Sequence, residues 1–373
     1  MRKILRLFLP LLLGFALLAC DLPLEIRVSF EEPPIPSYSD VSDDSPFDGG
    51  FSDGTTPVEG NLKVHFLDVG QADSILVVCS EETMLIDGGN ADDDTIVIEY
   101  LRSLGISHLD YVVSTHAHED HVGGLGGILQ YASVDTVFSP VQDYDTRVFQ
   151  NFKDAVKSQG RKLTQPKVGE TFTVGEATVT VLAPVEETDE TNDTSIVLRL
   201  VYGEVSFLFT GDAERASEQL MLNEGFALQS TVLKAGHHGS STSTSYQFLR
   251  EVMPTYAILS CGVNNDYGHP HDEVMSRFRD ADVTIYRTDE QGTIVATSDG
   301  KSVGFTTEKN VPPQTPVPAG YTYEYVLNTN SKKFHAPDCP NISDISERNR
   351  EAYRGSRKSL IDQGYTPCGS CKP

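Results

Sequence analysis

Basic side chains are scarce in this chain. Against 54 Asp and Glu, its 373 residues include only 29 Lys and Arg, a formal charge of −25. A surface of that sign repels phosphates, which excludes a general nucleic-acid coat over the main body. The shortage is uneven. Residues 21–60 hold one basic and 10 acidic side chains, residues 61–305 hold 16 and 37, and residues 323–373 hold 8 and 6. Only the last stretch has a balance that a polyanion would tolerate. Long apolar runs are also wanting: beyond the first twenty residues none approaches the roughly 20 needed to span a bilayer. Cysteine numbers six. Two of these, Cys79 and Cys261, sit in strand-like runs and read as buried small hydrophobes rather than a bridge. Apolar residues are not lacking. At 39% they exclude wholesale disorder, and the length suits roughly two or three domains.

At the start, Arg2, Lys3 and Arg6 precede an apolar run from Leu7 to Ala19, broken by Pro10 and Gly14. A basic start before so short a run is the pattern of a signal peptide. The run ends Leu17-Leu18-Ala19-Cys20 and resembles the lipobox of bacterial lipoproteins, which implies acylation of Cys20. The alternative is an ordinary signal peptide with an incidental cysteine. Residues 1–20 are therefore expected to be a lipoprotein signal peptide, and residues 21–60 an acidic disordered tether rich in Ser, Asp, Gly and Pro. The mature protein is expected outside the cytoplasm, held at the membrane by its lipid alone.

Residues 61–305 alternate between strand-like and helical patterns. Short apolar runs at 62–68, 74–78, 84–86, 111–114 and 134–138 are followed by others at 178–182, 195–201, 205–210, 231–233, 256–260, 283–286 and 293–296. Helical spacing fits 95–104, 124–131, 148–159, 214–222, 246–252 and 273–279, and Tyr202-Gly203-Glu204 reads as a hairpin turn. Two mixed sheets packed face to face with helices outside satisfy this α/β order.

The strand pattern at 111–114 stops and is followed by Thr115-His116-Ala117-His118-Glu119-Asp120-His121. His116, His118, Asp120 and His121, within six positions, make a poor core and a good metal site. Two histidines one residue apart can grip one ion from an extended loop. Asp120 and His121, aimed elsewhere at a helix start, can hold a second.

This HxHxDH run resembles the metallo-β-lactamase superfamily, which implies an αββα sandwich. The resemblance narrows to the hydrolase domain of ComEC-type DNA-uptake proteins. It is carried in order by FLDVGQADS at 66–74, LIDGG at 85–89, NDTSIVL at 192–198, FTGD at 209–212, LKAGHHGS at 233–240 and YGHPH at 267–271. The family's multi-spanning channel has no counterpart in these motifs, so a transporter is not expected. The resemblance implies His116 and His118 on one divalent ion, Asp120 and His121 on the other, and Asp212 bridging them; zinc suits these donors, and manganese is the alternative. Candidates for the two later ligands are His237, His238, His269 and His271. His237 and His269 are expected to bind metal, with His238 against the substrate and Asp120 and His238 in the catalytic machinery. The superfamily often has a histidine between Leu182 and Ser195; Asn192 or Asp193 stands there instead, as metal or substrate ligand. Asp68 and Asp87 are expected to fix turns beneath the metals. The Gly236–Ser240 stretch, with the hydroxyl of Ser240 or Ser241, is a source of donors to a developing oxyanion.

A Pro-rich break covers residues 306–322. Beyond it, His335-x3-Cys339 and Cys368-x2-Cys371 offer four ligands in two close pairs, the arrangement of a structural zinc; the alternative is one disulfide and a spare thiol. Residues 323–373 resemble the zinc-binding domain of the Ada methyl-repair protein. His335 stands where that family has its methyl-accepting cysteine, so methyl transfer is not expected. Lys332, Lys333, Arg348, Arg350, Arg354, Arg357 and Lys358 are either phosphate contacts or a solvated charged face.

The expected function is an exported, lipid-anchored hydrolase with two divalent ions, acting on a phosphodiester and specifically on extracellular DNA. The rivals are a hydrolase of a small or cell-wall substrate such as a phosphocholine ester or lactone, and a catalytically degenerate lipoprotein that binds DNA or a surface.

Overall fold

The computed structural model describes residues 58–316, 323–337 and 339–371. Cys20, the expected signal peptide and all but the end of the tether lie outside the described residues. Among the described residues, no helix is long and apolar enough to cross a membrane.

The first sheet contains eight strands in the spatial order Val303–Thr307, Ile294–Ser298, Leu62–Phe66, Ile75–Cys79, Glu82–Ile86, His108–Val113, Ser133–Phe138 and Leu163–Thr164. Its first five strands pair antiparallel and the rest parallel. The second sheet runs Thr284–Arg287, Tyr256–Leu259, Val232–Lys234, Val205–Phe209, Val197–Tyr202, Ala177–Ala183 and Thr171–Val174. Here the first four strands are parallel and the last four antiparallel. Parallel strands need both faces covered, which is why these strands are continuous apolar runs.

Alternation along each strand sorts its side chains into two cores. Ile75 and Val77 meet Val179, Val181, Leu198 and Phe207 between the sheets. Leu76 and Leu85 instead meet Val97, Leu101, Ile128 and Phe152 of the helices Asp94–Ser103, Leu125–Tyr131 and Arg147–Ser158. The helices Arg215–Glu224, Tyr246–Val252 and Asp272–Asp280 cover the second sheet in the same way through Met221, Phe248 and Phe278. The result is the expected αββα sandwich. Cys79 and Cys261 are buried and unpaired.

Three strands of the sandwich were not anticipated from periodicity: Leu163–Thr164, Thr171–Val174 and Val303–Thr307. The last carries the first sheet past residue 305 and pairs with Ile294–Ser298.

The tail forms a separate sheet in the order Arg350–Gly355, Tyr323–Asn328, Lys333–His335, Thr366–Pro367, around a small core of Tyr325, Leu327, Phe334, Leu360 and Tyr365. It is tied to the sandwich by Arg357. This guanidinium lies 2.5 Å from Asp280, donates to the carbonyl of Ser276 at 2.9 Å and also bonds the Ser276 hydroxyl.

Candidate metal centre

The functional side chains leave the carboxyl ends of parallel strands from both sheets, the place where open α/β sheets bind ligands. His116, His118, Asp120 and His121 follow His108–Val113. Asp212 follows Val205–Phe209, His237 and His238 follow Val232–Lys234, and His269 follows Tyr256–Leu259. Gly211, at φ +50, lets the chain turn Asp212 inward, since a Cβ there would meet Thr115 and Ser195 at 3.0 Å.

These loops surround a cavity of about 340 Å³. On one wall stand His118, Glu119 and Asp120, and on the other Asp212, His237 and His238. Asp120, His121, Asp212 and His238 bring their ligating atoms within 4.8 Å of one another. The Nε2 of His238 lies 3.2 Å from Asp120 and 3.6 Å from Asp212. The Nε2 of His116 lies 3.1 Å from His118 Nδ1 and 3.9 Å from Asp212.

The donor set fits a cation. His121 Nε2 and Asp212 Oδ1 are buried 3.2 Å apart, yet neither has a hydrogen-bond partner, the arrangement of groups aimed at a common point. The charges agree. Burial opposes protonation of His238, but the carboxylates of Asp212 and Asp73 outweigh it and push its pKa up to about 10. Burial would raise Asp120, but His121 and His238 hold it down at about 2. The cluster favours positive charge.

Two buried acceptors hold the histidines from behind. Asp87 takes His121 Nδ1 at 2.8 Å and the amide and hydroxyl of Thr115, each at 2.7 Å. The Ser260 carbonyl takes His238 Nδ1 at 3.0 Å, with the Asp73 carboxylate 3.3 Å from the same nitrogen and paired with the buried ammonium of Lys234 at 2.8 Å. A carboxylate or carbonyl behind a histidine fixes the tautomer and direction of its ring. Asp87 was foreseen as a support; Asp73 and Lys234 were not, although both lie in quoted motifs.

The later histidines divide differently from the expectation. His238, expected against the substrate, groups with Asp120, His121 and Asp212. His237 has its Nε2 3.6 Å from Asp212 while its Nδ1 is 3.1 Å from Glu214. His269 lines the cavity, with its ring 5.5 Å from that of His237 and its Nδ1 3.3 Å from the Gln71 amide. His271 accepts from the Ser241 amide at 2.9 Å. Asn192 lines the cavity, donates to Glu214 at 3.1 Å and leaves its buried Oδ1 without a partner. Asp193 instead accepts from the amides of Glu214 and Ser217. The Ser240 amide is engaged by His237 O at 2.7 Å, and its hydroxyl lies 3.0 Å from that of Thr242. Asp68 bonds Lys309 at 3.3 Å and the Gly70 amide.

A second cluster lies in the tail. His335, Cys339, Cys368 and Cys371 place their ligating atoms within 4.8 Å of one another, and His335 Nε2 is buried without a partner. The Ala336 amide points to Cys371 Sγ at 3.4 Å.

The sequence profile of the metallo-beta-lactamase superfamily matches residues 67–263. The chain belongs to that superfamily. It is 31% identical to ComE operon protein 3 of Bacillus subtilis over 62% of this chain and 32% of that protein. It is also 31% identical to competence protein ComA of Neisseria gonorrhoeae over 63% of this chain and 32% of that one. The resemblance to ComEC-type hydrolase domains stands on these relatives, of which the chain spans about a third of the length. Among solved structures, the metallo-beta-lactamase fold protein YhfI from Bacillus subtilis has a TM-score of 0.44 at 14% identity, covering 66% of this chain and 100% of that one. Superfamily membership makes a metal-dependent hydrolase the reading of this site.

Proposed function

We propose that the chain is an exported, lipid-anchored phosphodiesterase with two divalent ions, acting on DNA outside the cytoplasm. The observation that carries this reading is the convergence of Asp120, His121, Asp212 and His238 at one cavity, beside His116 and His118, in a domain related to proteins named for competence. Asp120, His121 and His238 would hold one ion and His116 and His118 the other, with Asp212 between them. The unpartnered Oδ1 of Asn192 takes the place of the superfamily's remaining histidine; an oxygen donor there suits manganese as well as zinc.

Such a pair acidifies water and polarises a phosphoryl oxygen. The chain's own residues do the rest. Asp87 keeps His121 aimed inward, and the Ser260 carbonyl, with Asp73 beside it, does the same for His238. His237, its Nδ1 beside Glu214, presents Nε2 to the cavity and contacts the substrate. In the tail, His335, Cys339, Cys368 and Cys371 hold one structural zinc in an Ada-like domain; so small a core needs a metal to offset its ordering entropy.

One observation favours the rival small substrate: no lysine or arginine lines the cavity. The test is a soluble chain without residues 1–20, loaded with zinc or manganese and given bis-nitrophenyl phosphate, DNA, a phosphocholine ester and a lactone. Phosphodiester turnover that disappears in His118→Ala and Asp120→Ala is expected. Unchanged turnover in those variants overturns the metal-hydrolase reading, and turnover of the lactone or phosphocholine ester alone replaces DNA as substrate. Cys20→Ser should move the full chain out of the detergent phase; unchanged partitioning removes the lipid anchor.

A further inference from the structure

The most exposed aromatic ring lining the cavity is that of Tyr267, with the exposed carboxylate of Glu119 also at the lining. Tyr267 is 68% exposed although it is a large ring at the mouth of a site. Its ring lies over that of His269 at 5.6 Å between centroids and 23° between planes. His269 is held in turn by the Gln71 amide at 3.3 Å, and Gln71 by the Gly262 amide at 3.0 Å. The loop carrying Tyr267 is braced from within. Asn265 donates to the carbonyls of Gly262 and His269 at 2.9 and 2.6 Å and accepts from the His269 amide, while His271 Nε2 is 3.2 Å from the Tyr267 carbonyl. The loop that presents the exposed ring is therefore braced before any ligand arrives, and His269 backs the ring itself.

Among the described residues, a phosphodiester entering this cavity meets no lysine or arginine. Beyond the divalent ions, the attraction such a rim offers is to a flat face. Every nucleobase has one, and stacking on an aromatic side chain is tolerant of sequence. A base can reach the ring only if it has left the duplex stack.

We propose that Tyr267, backed by His269, is the stacking platform for one unpaired nucleobase next to the scissile phosphodiester, so that the substrate is taken as a single strand. This deepens the phosphodiesterase reading and rests on it for the position of the phosphate. Because the contact is uncharged, its contribution does not fade with salt, unlike binding through Lys and Arg.

The test uses two probes of equal length: oligodeoxythymidylate and the same backbone built of abasic sites. The chain has no tryptophan, so Tyr267→Trp installs a single indole at the platform, excited selectively beyond the tyrosine band. Its emission should be quenched by the base-bearing strand and not by the abasic one. In the metal-loaded chain, Tyr267→Ala should raise KM for oligodeoxythymidylate about tenfold. It should leave KM for the abasic strand and kcat for both nearly unchanged, at low and high salt alike, and Tyr267→Phe should restore the wild-type value. Equal effects of Tyr267→Ala on both strands, or equal quenching by both, overturn the platform while leaving phosphodiester hydrolysis standing. Selective quenching without cleavage of either strand keeps the platform and removes the phosphodiesterase reading. No quenching by either strand overturns the platform whatever the turnover.

Discussion

The Nδ1 of His121 lies 2.8 Å from Oδ2 of Asp87, and the second oxygen of that carboxylate takes the backbone amide of Thr115. One buried side chain thus sets both the aim of a ligand and the path of the loop that carries the HxHxDH run. Asp87→Ala should lower metal affinity by about 10- to 100-fold. Metal content after dialysis against graded chelator measures this, and retention equal to wild type would assign Asp87 to the loop alone.

His65 gives the fold an acid limit independent of the metals. Its ring is 4% exposed, with Nδ1 2.8 Å from the Tyr100 hydroxyl. Burial, aided by Lys63, lowers its pKa to about 4. Between pH 6.5 and 4 the unfolded chain binds a proton here that the folded chain refuses, so stability falls as pH falls through that window. The loss saturates near ~3 kcal/mol below pH 4. Chemical denaturation of wild type and His65→Gln at pH 7.5 and 4.5 should show a smaller acid loss in the variant.

Arg357 and Asp280 are 11% and 2% exposed and form the tie between tail and sandwich. Arg357→Ala leaves the buried Asp280 without its ion-pair partner, held by the Tyr246 hydroxyl at 2.5 Å, and should cost up to about 3 kcal/mol in the stability of that junction. Adding Asp280→Asn should recover part of the loss. Limited proteolysis between residues 316 and 323 reports the junction; additive effects of the two changes would contradict direct coupling.

The tail's metal should be separable from the catalytic pair. Cys339→Ala is expected to remove one equivalent of zinc from the full chain and to expose residues 323–371 to protease. Turnover of bis-nitrophenyl phosphate should remain within about twofold. Zinc content unchanged by this substitution would contradict the ligand set His335, Cys339, Cys368 and Cys371.

Much of the sandwich is legible in the sequence because its elements are long enough to carry a period. The helix expected at 148–159 is Arg147–Ser158, and the strand expected at 178–182 is Ala177–Ala183. Leu163–Thr164 escapes notice because two residues hold a single repeat, and Thr171–Val174 because its two exposed threonines interrupt any apolar run. The first half of the site is legible because a strand stops and His116, His118, Asp120 and His121, side chains of metal-binding type, follow at once. The second half is less so. His237 and His238 are adjacent and both left-handed, at φ 49° and 53°. Which of them faces Asp120 is set by that turn rather than by strand alternation. Asp73 and Lys234 meet only through the packing of two sheets, and no local pattern records that.

The ligating groups alternate between the two halves of the sandwich: His121 and Asp120 stand on one sheet, Asp212 and His238 on the other. Ions bound between them would act as a clasp, because opening either half separates donors that must stay within a few ångströms. Bound metal would then add to the apolar core in holding one sheet against the other. The resistance of the folded protein to unfolding would follow the local supply of zinc or manganese, and a chelating environment would shorten the protein's life as well as silence it.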